Sequence, residues 1–255
     1  MKKITAIVLA AILVCALLAG CGAKDSGMTI EKGKLIMSTN AAFPPYEMVA
    51  DDGSFEGIDV EIAGAIAKKL NLELGVDDMD FDAALLAVQE NKSDIVMAGV
   101  TVNEDRLMVM NFSDSYATGK QMVIVKEGSD VTMDNLGEKM IGCQRGTTGY
   151  IYASDSPDNG GYGEDHVTAY DNGASAVNAL LNGQVDCVII DSAPAEAYVA
   201  ENAGLTLLEG EWVVENYAIG MNKENKDLLE AVNKALAELT ADGTIQSILD
   251  KYITA

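Results

Sequence analysis

The chain has 255 residues and a formal net charge of −23, from 40 acidic and 17 basic side chains. That length allows one large or two small domains, and such acidity excludes nucleic-acid binding, which needs a basic patch. A single histidine, His166, with no second His or Cys near it, argues against a metal centre.

Met1-Lys2-Lys3 followed by an apolar run from Ile4 to Ala19 reads as a secretory signal, with a basic start, an apolar core and small residues before the cut. The run is short for a bilayer span. Leu18-Ala19-Gly20-Cys21 resembles the bacterial lipobox. Cys21 is therefore expected to be lipidated as the mature N-terminus, residues 1–20 are excluded from the fold, and residues 21–29 are expected to form a flexible leash.

Lys34 to Asn40 reads as the first strand. Ala41 to Tyr46 breaks it with Pro44 and Pro45, which cannot donate to a ladder, so a rigid loop is expected. From Gly57 a helix carries Ile58, Ile62, Ile66 and Leu70 on one face. Glu73 to Val76 is a short strand, and Phe81 precedes a helix from Asp82 to Glu90. Asp94 to Met97 is a buried strand ending at Gly99. Thr101 and Glu104 then stand at capping-box spacing, so a helix is expected to start there. A strand that turns into a helix offers outward backbone N–H groups, and Arg106 adds a planar fork suited to a carboxylate.

The second half restarts with strands at Lys120–Val125 and Met140–Cys143. A small-residue turn, Gln144 to Gly149, leads into a helix from Tyr150, and Ser154 to Glu164 is an exposed loop. Helix Ala174–Leu181 and strand Val185–Ile190, ending at Asp191, echo Ala83–Val88 and Asp94–Val96 of the first half. This alternation predicts parallel sheets with helices on both faces and ligands beyond the carboxyl ends of the strands. Cys143 and Cys187 lie in apolar runs and read as core hydrophobes rather than a disulfide pair. Asp227–Leu239 and Thr244–Tyr252 read as closing amphipathic helices.

Several segments occur in a recognisable order: Asn40 to Glu47, Met79-Asp80-Phe81, Ala98 to Thr101 with Glu104-Asp105-Arg106, Phe112-Ser113-Asp114, Gly146 to Gly149, and Val185 to Asp191. With them the chain resembles the polar amino-acid binding proteins of ABC importers, bacterial solute-binding protein family 3. The resemblance implies a type II periplasmic-binding-protein fold, two α/β lobes joined by two hinge strands around a ligand cleft. Lobe 1 would be residues 30–116 and 218–255, lobe 2 residues 122–212, with hinges near 117–121 and 213–217. It further implies that Arg106 pairs with the ligand α-carboxylate, helped by N–H groups of Thr101 and Thr148. Asp191, the Gly99 carbonyl and the Thr101 hydroxyl would hold the α-ammonium. Phe43 and Phe81 would sandwich the ligand side chain, while Asn40 and Gln144, where other members often carry Asp and Lys, would border it. Thr147 is a further ligand-binding position, and Tyr46 and Ile190 could add to the wall.

The resemblance thus implies a monomeric lipoprotein on the outer face of the cell membrane that delivers a free amino acid to the permease subunits of an ABC importer, without a cofactor. An uncharged polar ligand is expected, because no matched wall position supplies a charge. Arg145 should point away, and Asp51, Asp52 and Glu56 should be solvated. The alternatives are an exported cyclohexadienyl dehydratase-like enzyme on the same fold, which would need an acid poised in the cleft, and a ligand-sensing module, which would be expected to carry a membrane or signalling segment after Ala255.

Overall fold

A computed structural model describes residues 27–210 and 213–253. The signal segment, Cys21 and the leash as far as Ser26 lie outside them. The leash is shorter than the sequence suggests. Met28 packs against the core and its carbonyl accepts from Asn225 Nδ2 at 2.9 Å, and Ile30 N donates to Asp94 Oδ1 at 2.7 Å.

The first lobe opens with β1 (Lys34–Thr39), then a three-stranded meander of β2 (Ala42–Phe43), β3 (Glu47–Val49) and β4 (Phe55–Glu56). The Pro44-Pro45 stretch is thus the turn of a hairpin rather than an isolated loop, and Phe43 pairs directly with Glu47. Helix α1 (Ile58–Lys69) buries Ile58, Ile62 and Ile66 completely, as their spacing dictates. β5 (Glu73–Asp78), α2 (Phe81–Gln89), β6 (Ile95–Val96), α3 (Glu104–Val109) and β7 (Met110–Phe112) follow. Phe81 is the first residue of α2, one position earlier than expected.

The chain then enters the second lobe along β8 (Ala117–Lys126). β9 (Ile141–Gln144), α4 (Thr148–Ser154), β10 (Val167–Tyr170), α5 (Gly173–Leu181), β11 (Cys187–Asp191), α6 (Ser192–Glu201) and β12 (Leu205–Leu207) complete it. Helix α4 begins at Thr148, not Tyr150, because the Thr147 hydroxyl caps it by accepting from Tyr150 N. β13 (Val214–Tyr217) leads back to β14 (Gly220–Asn222), α7 (Lys226–Ala241) and α8 (Thr244–Tyr252) in the first lobe. Cys143 and Cys187 are buried free thiols in neighbouring strands.

The sheets are mixed rather than parallel. The first has the order β5-β1-β6-β14-β7, with β14 antiparallel to both neighbours. The second has the order β10-β9-β11-β8-β12, with β8 antiparallel to β11 and β12. The reversed strands are those that follow a crossing between lobes, so the chain enters each sheet from the opposite end. The start of β8 pairs with β13, from Ala117↔Tyr217 to Lys120↔Val214, which makes a two-stranded connection between the sheets. The carboxyl ends of β1, β5 and β6 in one lobe and of β9 and β11 in the other therefore border one cleft.

Candidate functional site

A narrow cleft with a cavity volume of about 20 Å³ lies between the lobes. It is lined by Asn40, Phe43, Glu47, Phe81, Ala98, Gly99, Thr101, Arg106, Gln144, Thr147, Thr148 and Asp191. The structure thus brings all ten residues singled out from the sequence to one place and adds Glu47 and Ala98. Tyr46 and Ile190 do not reach it; both are buried in the core. Arg145 faces away, 3.6 Å from Asp171, and Asp52 binds the exposed Ser54 turn.

Arg106 is buried in α3, whose start differs from the expected one. Asn103, not Thr101, caps the helix by accepting from Arg106 N at 2.8 Å. Thr101 instead bridges to Tyr217 in extended backbone. The guanidinium donates from Nη1 to the Thr101 carbonyl at 2.8 Å and from Nη2 to the Gly146 carbonyl of the other lobe at 3.1 Å. Its carbon lies 5.4 Å from the centre of the Phe81 ring, within cation–π range. Burial pulls its pKa down, since a desolvated cation is disfavoured. Arg has five N–H donors, so a carbonyl-anchored fork retains donors for a carboxylate. The first N–H groups of α4, at Thr148 and Gly149, have no partner within their own helix, and Thr148 lines the cleft.

Opposite stands an acidic wall. Asp191, at the end of β11, accepts from the Tyr217 hydroxyl, and burial beside Glu215 pushes its pKa upward. Glu215 is buried in β13 and accepts from the Thr101 hydroxyl at 2.9 Å and Gln121 Nε2 at 3.1 Å. Having donated that proton, the Thr101 oxygen keeps lone pairs for an ammonium. Asp59, fully buried in the first turn of α1, accepts from Gly99 N at 2.9 Å and from the Tyr116 hydroxyl at 2.7 Å, and its pKa rises to about 6 by desolvation. The Gly99 N–H is therefore spoken for and its carbonyl is the group available to a ligand. Gly99 has φ +56°, and a Cβ there would lie 2.7 Å from the Phe43 ring, so only glycine lets that ring lie flat on the turn.

The amides meet across the cleft. Gln144 Nε2 donates to Asn40 Oδ1 at 3.0 Å and to the Asp171 carbonyl at 3.3 Å, while Asn40 Nδ2 donates to the Met79 carbonyl at 2.9 Å. Phe43, Tyr46 and Tyr217 form a row of rings with centroids 5.8 and 5.2 Å apart. No group of three or more His, Cys, Asp or Glu suited to a metal occurs among the described residues.

Glu47, Asp59, Glu215 and Tyr217 were missed from the sequence as parts of the site. Asp59 gave no signal, since an acid in the first turn of a helix is favoured by the backbone dipole. Glu215 gave the opposite signal, being a charged residue flanked by Val214 in an alternating strand. The expectation that the cleft lacks an acid, used against an enzyme and in favour of an uncharged ligand, is corrected by Glu47. Its side chain is fully buried and lines the cavity.

A sequence model of the bacterial extracellular solute-binding proteins, family 3, matches residues 35–255. The chain belongs to that family. Among its relatives it is 32% identical over 259 residues to the arginine-binding extracellular protein ArtP of Bacillus subtilis, covering 100% of this chain and 99% of that protein. It is 29% identical over 254 residues to the L-cystine-binding protein TcyJ of Escherichia coli, covering 96% and 94%. Among solved structures, an ancestral arginine-binding protein bound to glutamine superposes with a TM-score of 0.81 at 36% identity, covering 88% of this chain and all of that one. The two-lobe fold of this family is the type II arrangement described above.

Proposed function

We propose that this protein captures a free α-amino acid outside the cytoplasm and hands it to an ABC importer. The observation that carries this reading is the separation of opposite, buried charges across one cleft. Arg106 with the first amides of α4 matches a carboxylate, while Asp191, the Gly99 carbonyl and the Thr101 hydroxyl match an ammonium. The relatives' ligands fit the same division. Arginine, cystine and glutamine differ in side chain and share the α-carboxylate and α-ammonium.

In this reading the paired segments near 117–121 and 213–217 are the hinges, lobe 1 comprises residues 30–116 and 218–255, and lobe 2 comprises 122–212. Arg106 and Asp191 lie on different lobes, so one ligand engages both only when the lobes approach. Small-angle scattering should show contraction with saturating ligand, and equal profiles would count against it. The protein acts as a monomer, tethered to the membrane by a lipid on Cys21.

For the side chain, Asn40 and Gln144 are neutral and largely satisfied by each other, and Phe43 and Phe81 are flat and apolar. An uncharged polar side chain, such as that of glutamine or cystine, fits this wall best. Competitive calorimetry with glutamine, cystine, arginine and glutamate tests it, and tightest binding by arginine or glutamate at neutral pH would overturn the preference. The acid Glu47 in the cleft is the one observation favouring the dehydratase reading. Incubation with prephenate or arogenate, followed by product analysis, separates catalysis from binding, and no turnover is expected.

A further inference from the structure

Glu47 stands in an unusual setting. Its side chain is 0% exposed, it lines the cleft, and among the described residues neither carboxylate oxygen has a hydrogen-bond donor. An ionised carboxylate in that state would carry the full cost of desolvation, and such groups neutralise instead. The groups that face it are acids or phenols: Asp59 from α1, Asp191 from β11, Asp78 from the end of β5, and the hydroxyls of Tyr46 and Tyr116. Its carboxyl is within hydrogen-bonding reach of Asp59. Two ionised carboxylates have no proton to share, so that contact forms only when one of them is an acid. Asp59 already accepts from Gly99 N and the Tyr116 hydroxyl, which stabilise it as the ionised partner and leave Glu47 as the one that holds the proton.

Position gives this proton a consequence for the ligand. Phe43 and Glu47 are directly opposed residues of the β2–β3 pair, so their side chains lie on one face of the hairpin, and both line the cleft. A ligand side chain laid on the Phe43 ring therefore passes beside the Glu47 carboxyl. We propose that Glu47 is a specificity-determining residue: as a neutral acid donating to Asp59 it lets the cleft take an uncharged side chain, and on releasing that proton to solvent it turns the preference toward a cationic one. This rests on the amino-acid-binding reading above and deepens it.

The test compares glutamine with arginine by calorimetry on the purified protein, from about pH 6 to about pH 9, a range that includes buried glutamates. The ratio of the two dissociation constants cancels the titration of Asp191 and of the α-ammonium, which both ligands share. The ratio should move toward arginine by about tenfold or more in the wild type, the factor for one added charge contact of modest strength. In Glu47→Gln, which keeps a donor for Asp59, the ratio should stay flat across the same range. A flat ratio in the wild type, or an unchanged pH dependence in Glu47→Gln, overturns the proposal. Infrared difference spectra read the proton without any ligand. The carbonyl-stretch intensity of protonated carboxylic acids at neutral pH should be larger in the wild type than in Glu47→Gln, and that difference, which leaves out the shared signal of Asp191 and Asp59, should fade as pH rises. If wild type and Glu47→Gln show the same intensity at neutral pH, the proposal fails even where amino acids bind. If the difference behaves as expected and neither amino acid binds, it is the amino-acid reading that fails, and Glu47 remains a neutral acid.

Discussion

Replacing Arg106 by alanine is the sharpest perturbation of the proposed carboxylate site. In the complex it leaves a desolvated ligand carboxylate with only the helix amides of α4, a loss on the order of 2–5 kcal/mol. That corresponds to a roughly 30-fold to several-thousand-fold rise in Kd. The same substitution removes the donor from Thr101 O and, across the cleft, from Gly146 O. The second bond joins the lobes, so its loss acts in the same direction by disfavouring the closed form. Because every α-amino acid presents the same carboxylate, the loss should be uniform, and the order of preference among glutamine, cystine and arginine should not change. Asp191→Asn should behave likewise from the ammonium side. Arg106→Lys should recover only part of the loss, since an ammonium cannot hold two carbonyls and fork onto a carboxylate. Calorimetry, with competition for the weak variants, measures all of these. An Arg106→Ala protein that binds within about threefold of wild type, well below the smallest loss expected for a desolvated pair, would refute the placement of the carboxylate.

Asp59 has its pKa raised from 3.8 to about 6, so its contribution to stability is present below about pH 4 and is lost as pH rises through about 6. Urea unfolding of ligand-free protein should show Asp59→Asn losing up to about 3 kcal/mol of that pH dependence relative to wild type, and parallel curves would contradict it. At Gly119 an added Cβ would run into the Tyr217 phenol, whose hydroxyl holds Asp191. Gly119→Ala should therefore cost about 1–3 kcal/mol of stability by overpacking and weaken every amino acid, and a thermal scan with calorimetry would reveal an unaffected variant. Cys21→Ala should release the protein from the membrane fraction, and unchanged retention on fractionation would argue against the lipid tether.

The two-lobe architecture and the residues at its strand ends could be read from the sequence because they leave local marks. Gly99 and Gly146 mark turns after buried strands, and Arg106 is a lone cation beyond an apolar run. Phe81 and Asn40 share a cleft with Gln144 because they follow β5 and β1 of one sheet, while Gln144 ends β9 of the other. The sense of the strands was not legible. Short apolar runs such as Ile95–Val96 and Gly220–Asn222 carry no directional signal, and only the chain's passage between lobes reverses β8 and β14. The acidic wall was hidden for another reason. Asp59 in a helix first turn is where an acid is favoured by the backbone dipole, so it reads as ordinary. In β13 the alternation is inverted: Val214 is 62% exposed while Glu215 is 3% exposed. A strand placing its acid inward and its valine outward contradicts hydrophobic patterning, and the partners that reward it, Thr101 and Gln121, are distant in sequence.

Those partners also bear on why closure should follow ligand. Brought together, the lobes bury the Arg106 guanidinium, which donates to the Thr101 and Gly146 carbonyls, and the carboxyls of Asp191 and Glu215. A zwitterion offers a partner to each side at once, and does so only in the closed form. To convert a mostly open protein into a mostly closed one takes about 5.5 kcal/mol of differential binding. Breaking one desolvated charge contact costs about 2–5 kcal/mol, part of it for the charge left unpaired, so two contacts made only on closure act on the same scale. Closure can therefore be driven by the part of the ligand common to all α-amino acids. The Phe43, Phe81, Asn40 and Gln144 wall, with Glu47 behind it, is then left to choose among them.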